Sequence, residues 1–77
     1  GRVMTAHHSS PSLAILALLF EREQPVHSDE IYSVINHRAK HIQLAIRHQF
    51  NEGRIELIPG RGWVITDAGI DLLAEQE

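Results

Sequence analysis

An α+β domain, mainly α, is the fold class this chain predicts, and three observations predict it. The stretch Ala39–Gly53 has the periodicity of a helix with two chemically different sides. After it come two short alternating runs on either side of Pro59-Gly60-Arg61-Gly62, a composition that makes a tight turn and hence a hairpin. Three further stretches open with capping residues near Pro11, Ser28 and Thr66, and each repeats apolar residues at helical spacing.

The elements follow in order. Residues 1–10 have no periodicity and read as a loose tail, with Met4 a natural start behind a cloning remnant; His7-His8 in this tail is given no metal role. Ser9, Ser10 and Ser12 are N-cap candidates around Pro11, a residue suited to a first helical turn. The domain proper is expected over 11–77. Its first helix should run from Pro11 to about Arg22, with Leu13, Leu16, Ala17 and Phe20 on one face and Ile15, Leu18 and Leu19 on the others. A helix apolar nearly all round must be covered on more than one side. Two coverings are open: the other helices alone, or the other helices plus a second subunit.

Pro25 stops that helix, and Val26 suits a short edge strand. Ser28 is expected to cap a second helix, with Asp29 and Glu30 complementing its positive end and Ile31, Val34 and Ile35 facing inward. Asn36-His37-Arg38 is read as the turn before the helix 39–52, although His37 to Lys40 is open between loop and helix. Gly53 takes the usual left-handed position after that helix. In the hairpin Ile55 and Leu57 share a face, as do Trp63 and Ile65. A last helix, capped by Thr66 or Asp67, should turn Ile70, Leu73 and Leu72 inward.

Composition excludes several classes. With no cysteine, neither disulfides nor a thiolate metal site can staple the chain, which fits the cytosol. The longest apolar run, Leu13 to Phe20, falls well short of the ~20 residues that cross a bilayer. No secretory signal pattern precedes it, so a cytoplasmic protein is expected. A chain this small buries only about 60–65% of its unfolded surface, so its core must be efficient or be completed by a partner.

The net charge of −3 hides an uneven distribution. Arg38, Lys40, Arg47, Arg54 and Arg61 against Glu52 and Glu56 make residues 36–62 net positive, while Asp67, Asp71, Glu75 and Glu77 make the last stretch acidic. On the helix 39–52, Ile42, Ala45, Ile46, Gln49 and Phe50 fall on one side, and Lys40, Gln43, Leu44, Arg47 and Asn51 on the other. Cations, amides and one apolar group are what contact with phosphates and base edges requires.

The order helix, short strand, helix, turn, helix, hairpin, helix is that of a winged helix, with a three-helix helix-turn-helix core, a β-hairpin wing and a C-terminal helix. Phe50-Asn51-Glu52-Gly53-Arg54-Ile55-Glu56 resembles that superfamily's passage from recognition helix to wing. Gly60 to Leu73, with its Gly-Trp-Val-Ile-Thr-Asp-Ala-Gly run from Gly62, looks like its wing and final helix. The resemblance, to winged helix-turn-helix domains of bacterial and archaeal transcriptional regulators, covers roughly residues 12–75. It implies a DNA-binding module that inserts the helix 39–52 in the major groove and lays the 59–62 wing on flanking backbone or minor groove. The expected partner is double-stranded DNA, which would place the protein at the nucleoid, and a homodimer through helix 1 and the C-terminal helix is expected with it.

Within that reading Lys40 and Arg47 reach phosphates or guanine, Gln43 and Asn51 read adenine, and Leu44 lies against a thymine methyl. Arg61 projects from the wing tip, Arg38 and His48 lie beside phosphates, and Ser28 donates from the start of helix 2. The plain alternative is a solvated helix face, against which an exposed leucine among polar groups argues. His37, His41 and His48 would share a face if the helix began early, but no carboxylate stands at a matching position, so no metal site is expected. No catalytic residue, cofactor or small-molecule substrate is expected either: the chain has no cysteine nucleophile, phosphate-cradling glycine loop or paired carboxylates in an evident pocket. The competing reading is a winged helix used as a protein–protein interaction or assembly module, which the overall acidity and Leu44 favour.

Overall fold

Pro11–Glu21 (α1), Ser28–Val34 (α2), Ala39–Asn51 (α3), Ile55–Ile58 (β1), Gly62–Ile65 (β2) and Asp67–Glu75 (α4) follow one another along the chain. This computed structural model describes residues 10–76, so the tail expected over 1–10 lies almost wholly outside the described residues. Four helices and one two-stranded antiparallel hairpin make a small, mainly helical α+β domain.

Helix α1 is the centre of the packing. Ser10 caps it, its hydroxyl accepting the Leu13 N–H at 3.4 Å, and Pro11 occupies the first turn, where no amide partner is missed. Every residue from Ala14 to Leu19 is buried, because α3, α4 and β2 all pack on this one helix. Of the two coverings open from sequence, the chain's own elements therefore cover these residues. Phe20, expected on the inward face, is about half exposed at the last turn, where it borders a groove with Val64, Ile65 and Ile70 and is not enclosed by them.

Val26 forms the short edge strand expected of it. It exchanges two backbone hydrogen bonds with Trp63, at 2.9 and 2.8 Å, and so adds a single antiparallel bridge beside β2. The hairpin pairs Ile55 with Ile65 and Leu57 with Trp63. Gly62 is required where the two backbones meet. Its φ is +138°, and a Cβ there would stand 2.6 Å from the Val26 carbonyl carbon and oxygen.

Helix α2 starts one residue earlier in its capping than expected. His27 is the N-cap, its Nδ1 accepting the Asp29 N–H at 3.1 Å, and Ser28 is the first helical residue. Ile31 and Ile35 turn inward as expected, whereas Val34 is exposed. Arg22 at the end of α1 forms an ion pair with Glu30 of α2, joining the two elements across the Pro25 turn.

Helix α3 begins at Ala39, which settles the ambiguous stretch: His37 and Arg38 precede the helix, and Arg38 is its N-cap with no side-chain capping bond. Gly53, at φ +74°, lets the chain leave α3 and turn into β1. Thr66 ties that exit to the last helix. Its Oγ1 donates to the Gly53 carbonyl at 2.6 Å and accepts the Gly69 N–H of α4 at 3.3 Å. In α4 Leu73 is buried and Leu72 partly so, while Ile70, expected inward, stands exposed.

Candidate nucleic-acid interface

Ile42, Ala45 and Gln49 anchor α3 to the core, which leaves the opposite side of the helix facing outward. Lys40, Gln43, Leu44, Arg47, His48 and Asn51 are all exposed there. Their spacing of three and four residues sets them side by side on one surface. Leu44, at 54% exposure, is the most exposed large apolar side chain among the described residues. Together with His41 and His48 it borders a shallow depression that Pro11 and Ser12 of α1 close on the far side from the hairpin.

The cations divide cleanly into paired and unpaired. Arg22 holds Glu30, and Arg54 lies 3.9 Å from Glu52 while donating from Nη1 to Gln49 Oε1 at 3.4 Å. Gln49 is only 2% exposed, so this bond from Arg54 serves a buried amide at the end of α3. Arg54 is thus held within the domain. Arg38, Lys40, Arg47 and Arg61 have no ion pair and no side-chain hydrogen bond among the described residues. All four are exposed.

Arg61 sits on the hairpin turn, its N–H donating to the Ile58 carbonyl at 2.9 Å. It lines a recess of about 180 Å³ with His27, Ser28, Leu57 and Gly62, between the start of α2 and the turn. Ser28, expected as a donor at the start of α2, also has a structural partner. Its hydroxyl oxygen accepts from Trp63 Nε1 at 3.0 Å, which fastens α2 to the hairpin. The hairpin is fastened to α3 by the same indole, whose ring centroid lies 5.8 Å from that of Phe50 with the planes 75° apart.

Phe50 is the residue of α3 that periodicity misplaced. It was expected to face inward with Gln49, yet half of it is exposed, at the edge of α3 that faces the hairpin. Leu57, sharing its hairpin face with Trp63, is 48% exposed. The signal for both lay in spacing: Phe50 follows Arg47 by three residues, and Leu57 lies farther from the helix than Ile55 along the same strand face. Among the described residues no group of three or more histidine, aspartate or glutamate side chains is placed to hold a metal ion, and no helix is long and apolar enough to cross a membrane. No protein-family model, curated protein or solved structure matches this chain.

Proposed function

We propose that the chain is a winged helix module that binds double-stranded DNA as part of a transcriptional regulator. Helix α3 would enter the major groove, and the 59–62 turn would lie on the flanking backbone or minor groove. The observation that carries this reading is the set of unneutralised cations. Among the described residues Arg38, Lys40 and Arg47 at or on α3, and Arg61 on the turn, are exposed and unpaired, although the chain carries more acidic than basic residues. Cations left without internal partners suit phosphate contacts, and Gln43 and Asn51 between them supply the amide chemistry of base edges.

The module pairs with a second copy in this proposal, as regulators that read two half-sites do. The surface for it is narrower than all of α1. Phe20 and Ile70 flank a groove of about 350 Å³ at the end of α1 beside α4, whereas Leu18 and its neighbours are occupied by the chain's own core. Phe20→Glu is therefore the substitution that should shift a sedimenting dimer to monomer without unfolding it.

The test is a salt titration of duplex binding. Each phosphate neutralised adds about −0.9 to the slope of log affinity against log salt, so contacts from these four cations predict a slope of roughly −3 to −4. Arg47→Ala and Arg61→Ala should each weaken binding and flatten that slope by about one, with thermal stability unchanged. Absence of duplex binding at low salt would leave the protein-interaction alternative, for which the exposed Leu44 is the supporting observation.

A further inference from the structure

Beside the polar face of α3 lies an apolar patch for which groove reading by Lys40, Gln43, Arg47 and Asn51 has no use. It is built by two elements: Phe50 from α3, and Trp63 with Leu57 from the hairpin. Phe50 and Leu57 each leave about half of their surface exposed and stand outside the core cluster. The patch is also held in place. Trp63 is fixed on one side by its bond to Ser28 and on another by its edge-to-face contact with Phe50, and the backbone bridge to Val26 locks its strand. An aromatic pair so braced keeps its exposed surface without paying ordering entropy on binding.

The rim of the patch says what covers it. Arg47 precedes Phe50 by three residues on α3, so it borders the patch, and Arg61 shares a recess with Leu57 at the turn. Both arginines are unpaired among the described residues, and this rim suits a polyanion better than an apolar peptide. An exposed ring between unpaired arginines is the arrangement that holds an unstacked base while its phosphates meet the cations.

We propose that Phe50, braced by Trp63 and extended by Leu57, is a stacking site for an unpaired nucleobase. The preferred partner is then a duplex that ends in, or opens into, a single-stranded segment, not a continuous blunt duplex. This rests on the nucleic-acid reading above and specifies which form of nucleic acid the surface prefers.

Trp63 is the chain's only tryptophan, so its emission reports from inside the patch. The domain is titrated with a blunt duplex, the same duplex carrying a short single-stranded overhang, and the single strand alone. The overhang duplex should bind at least about tenfold more tightly than the blunt one and alone among the duplexes should quench Trp63, since stacking on one aromatic ring adds roughly that factor. Phe50→Leu keeps apolar bulk against Trp63 but removes the ring, and should erase the overhang preference while leaving blunt-duplex affinity unchanged; Phe50→Tyr should restore it. Arg47→Ala should weaken both forms. Equal affinity for blunt and overhang duplexes with unaltered emission overturns the stacking site and leaves the duplex reading standing. Failure to bind any of the three overturns both. If Phe50→Leu or Leu57→Ala instead converts a sedimenting dimer to monomer, the patch is a contact between copies and the stacking proposal is wrong.

Discussion

Helices α1 and α3 use apolar residues in opposite ways. In α1 six consecutive residues, Ala14 to Leu19, are buried, so the helix has no outward face over its middle. In α3 only Ile42, Ala45 and Gln49 are buried, although the helix also carries Leu44, Ile46 and Phe50. The difference lies in position. Helix α1 is contacted by α3, α4 and β2 at once, whereas α3 rests on α1 and the base of the hairpin and leaves the rest of its circumference to solvent. One helix therefore carries the stability of the domain, and the other is free to carry chemistry. From Ala14 to Leu19 every apolar residue of α1 is core, whereas α3 divides its apolar residues between core (Ile42, Ala45) and surface (Leu44, Phe50).

Substitutions can break that contrast. The largest effect should come from Leu16→Ala, which empties a site with no exposure and should destabilise the domain by about 2–5 kcal/mol in urea unfolding. Leu44→Ala, the same chemical change on α3, should shift stability by less than about 0.5 kcal/mol. If the two midpoints moved alike, the division of labour between the helices would be wrong. Next in size is Gly62→Ala. The added methyl meets the Val26 carbonyl in a backbone conformation that L residues avoid, and a loss of at least about 2 kcal/mol is expected.

Smaller effects sharpen the picture at the junction of α3 and the hairpin. Trp63→Phe removes the donor to Ser28 but keeps an aromatic ring near Phe50, and should cost about 1 kcal/mol. Amide exchange should then quicken at the start of α2 while the middle of α1 stays protected. Replacing the cap of α2, His27→Ala, should cost about 0.5–1 kcal/mol, because the Asp29 N–H it satisfies is exposed and water can take its place. The polar face of α3 should be quietest of all: Lys40→Ala and Asn51→Ala should leave the unfolding midpoint within about 0.5 kcal/mol of the parent.

Much of this architecture is legible in the residues themselves. The end of α3 at Gly53, the turn around Gly60, the Pro11 start of α1 and the Thr66 cap of α4 follow from backbone preferences that act within a few residues. The exposed set Lys40, Gln43, Leu44, Arg47 and Asn51 is legible for the same reason, since helical periodicity alone separates it from Ile42, Ala45 and Gln49. Arg54 shows where such reading stops. Its role depends on Gln49 and Glu52 brought close by the turn at Gly53, which its place among the basic residues of 36–62 does not reveal.

What the sequence determined by itself was therefore the order of elements, most of their boundaries and the polar side of α3. Tertiary structure alone decided which apolar residues were covered. Phe20, Val34, Phe50 and Ile70 are apolar residues at element positions expected to bury them, and all four are exposed because neighbouring elements cover only part of each. Trp63 is the counterpart. It bridges Val26 and Ser28, at the approach to α2, with Phe50 near the end of α3, two parts of the chain far from one another in sequence. Capping, turns and periodicity are short-range and written locally; burial depends on what the rest of the chain places alongside, and only the folded arrangement supplies that.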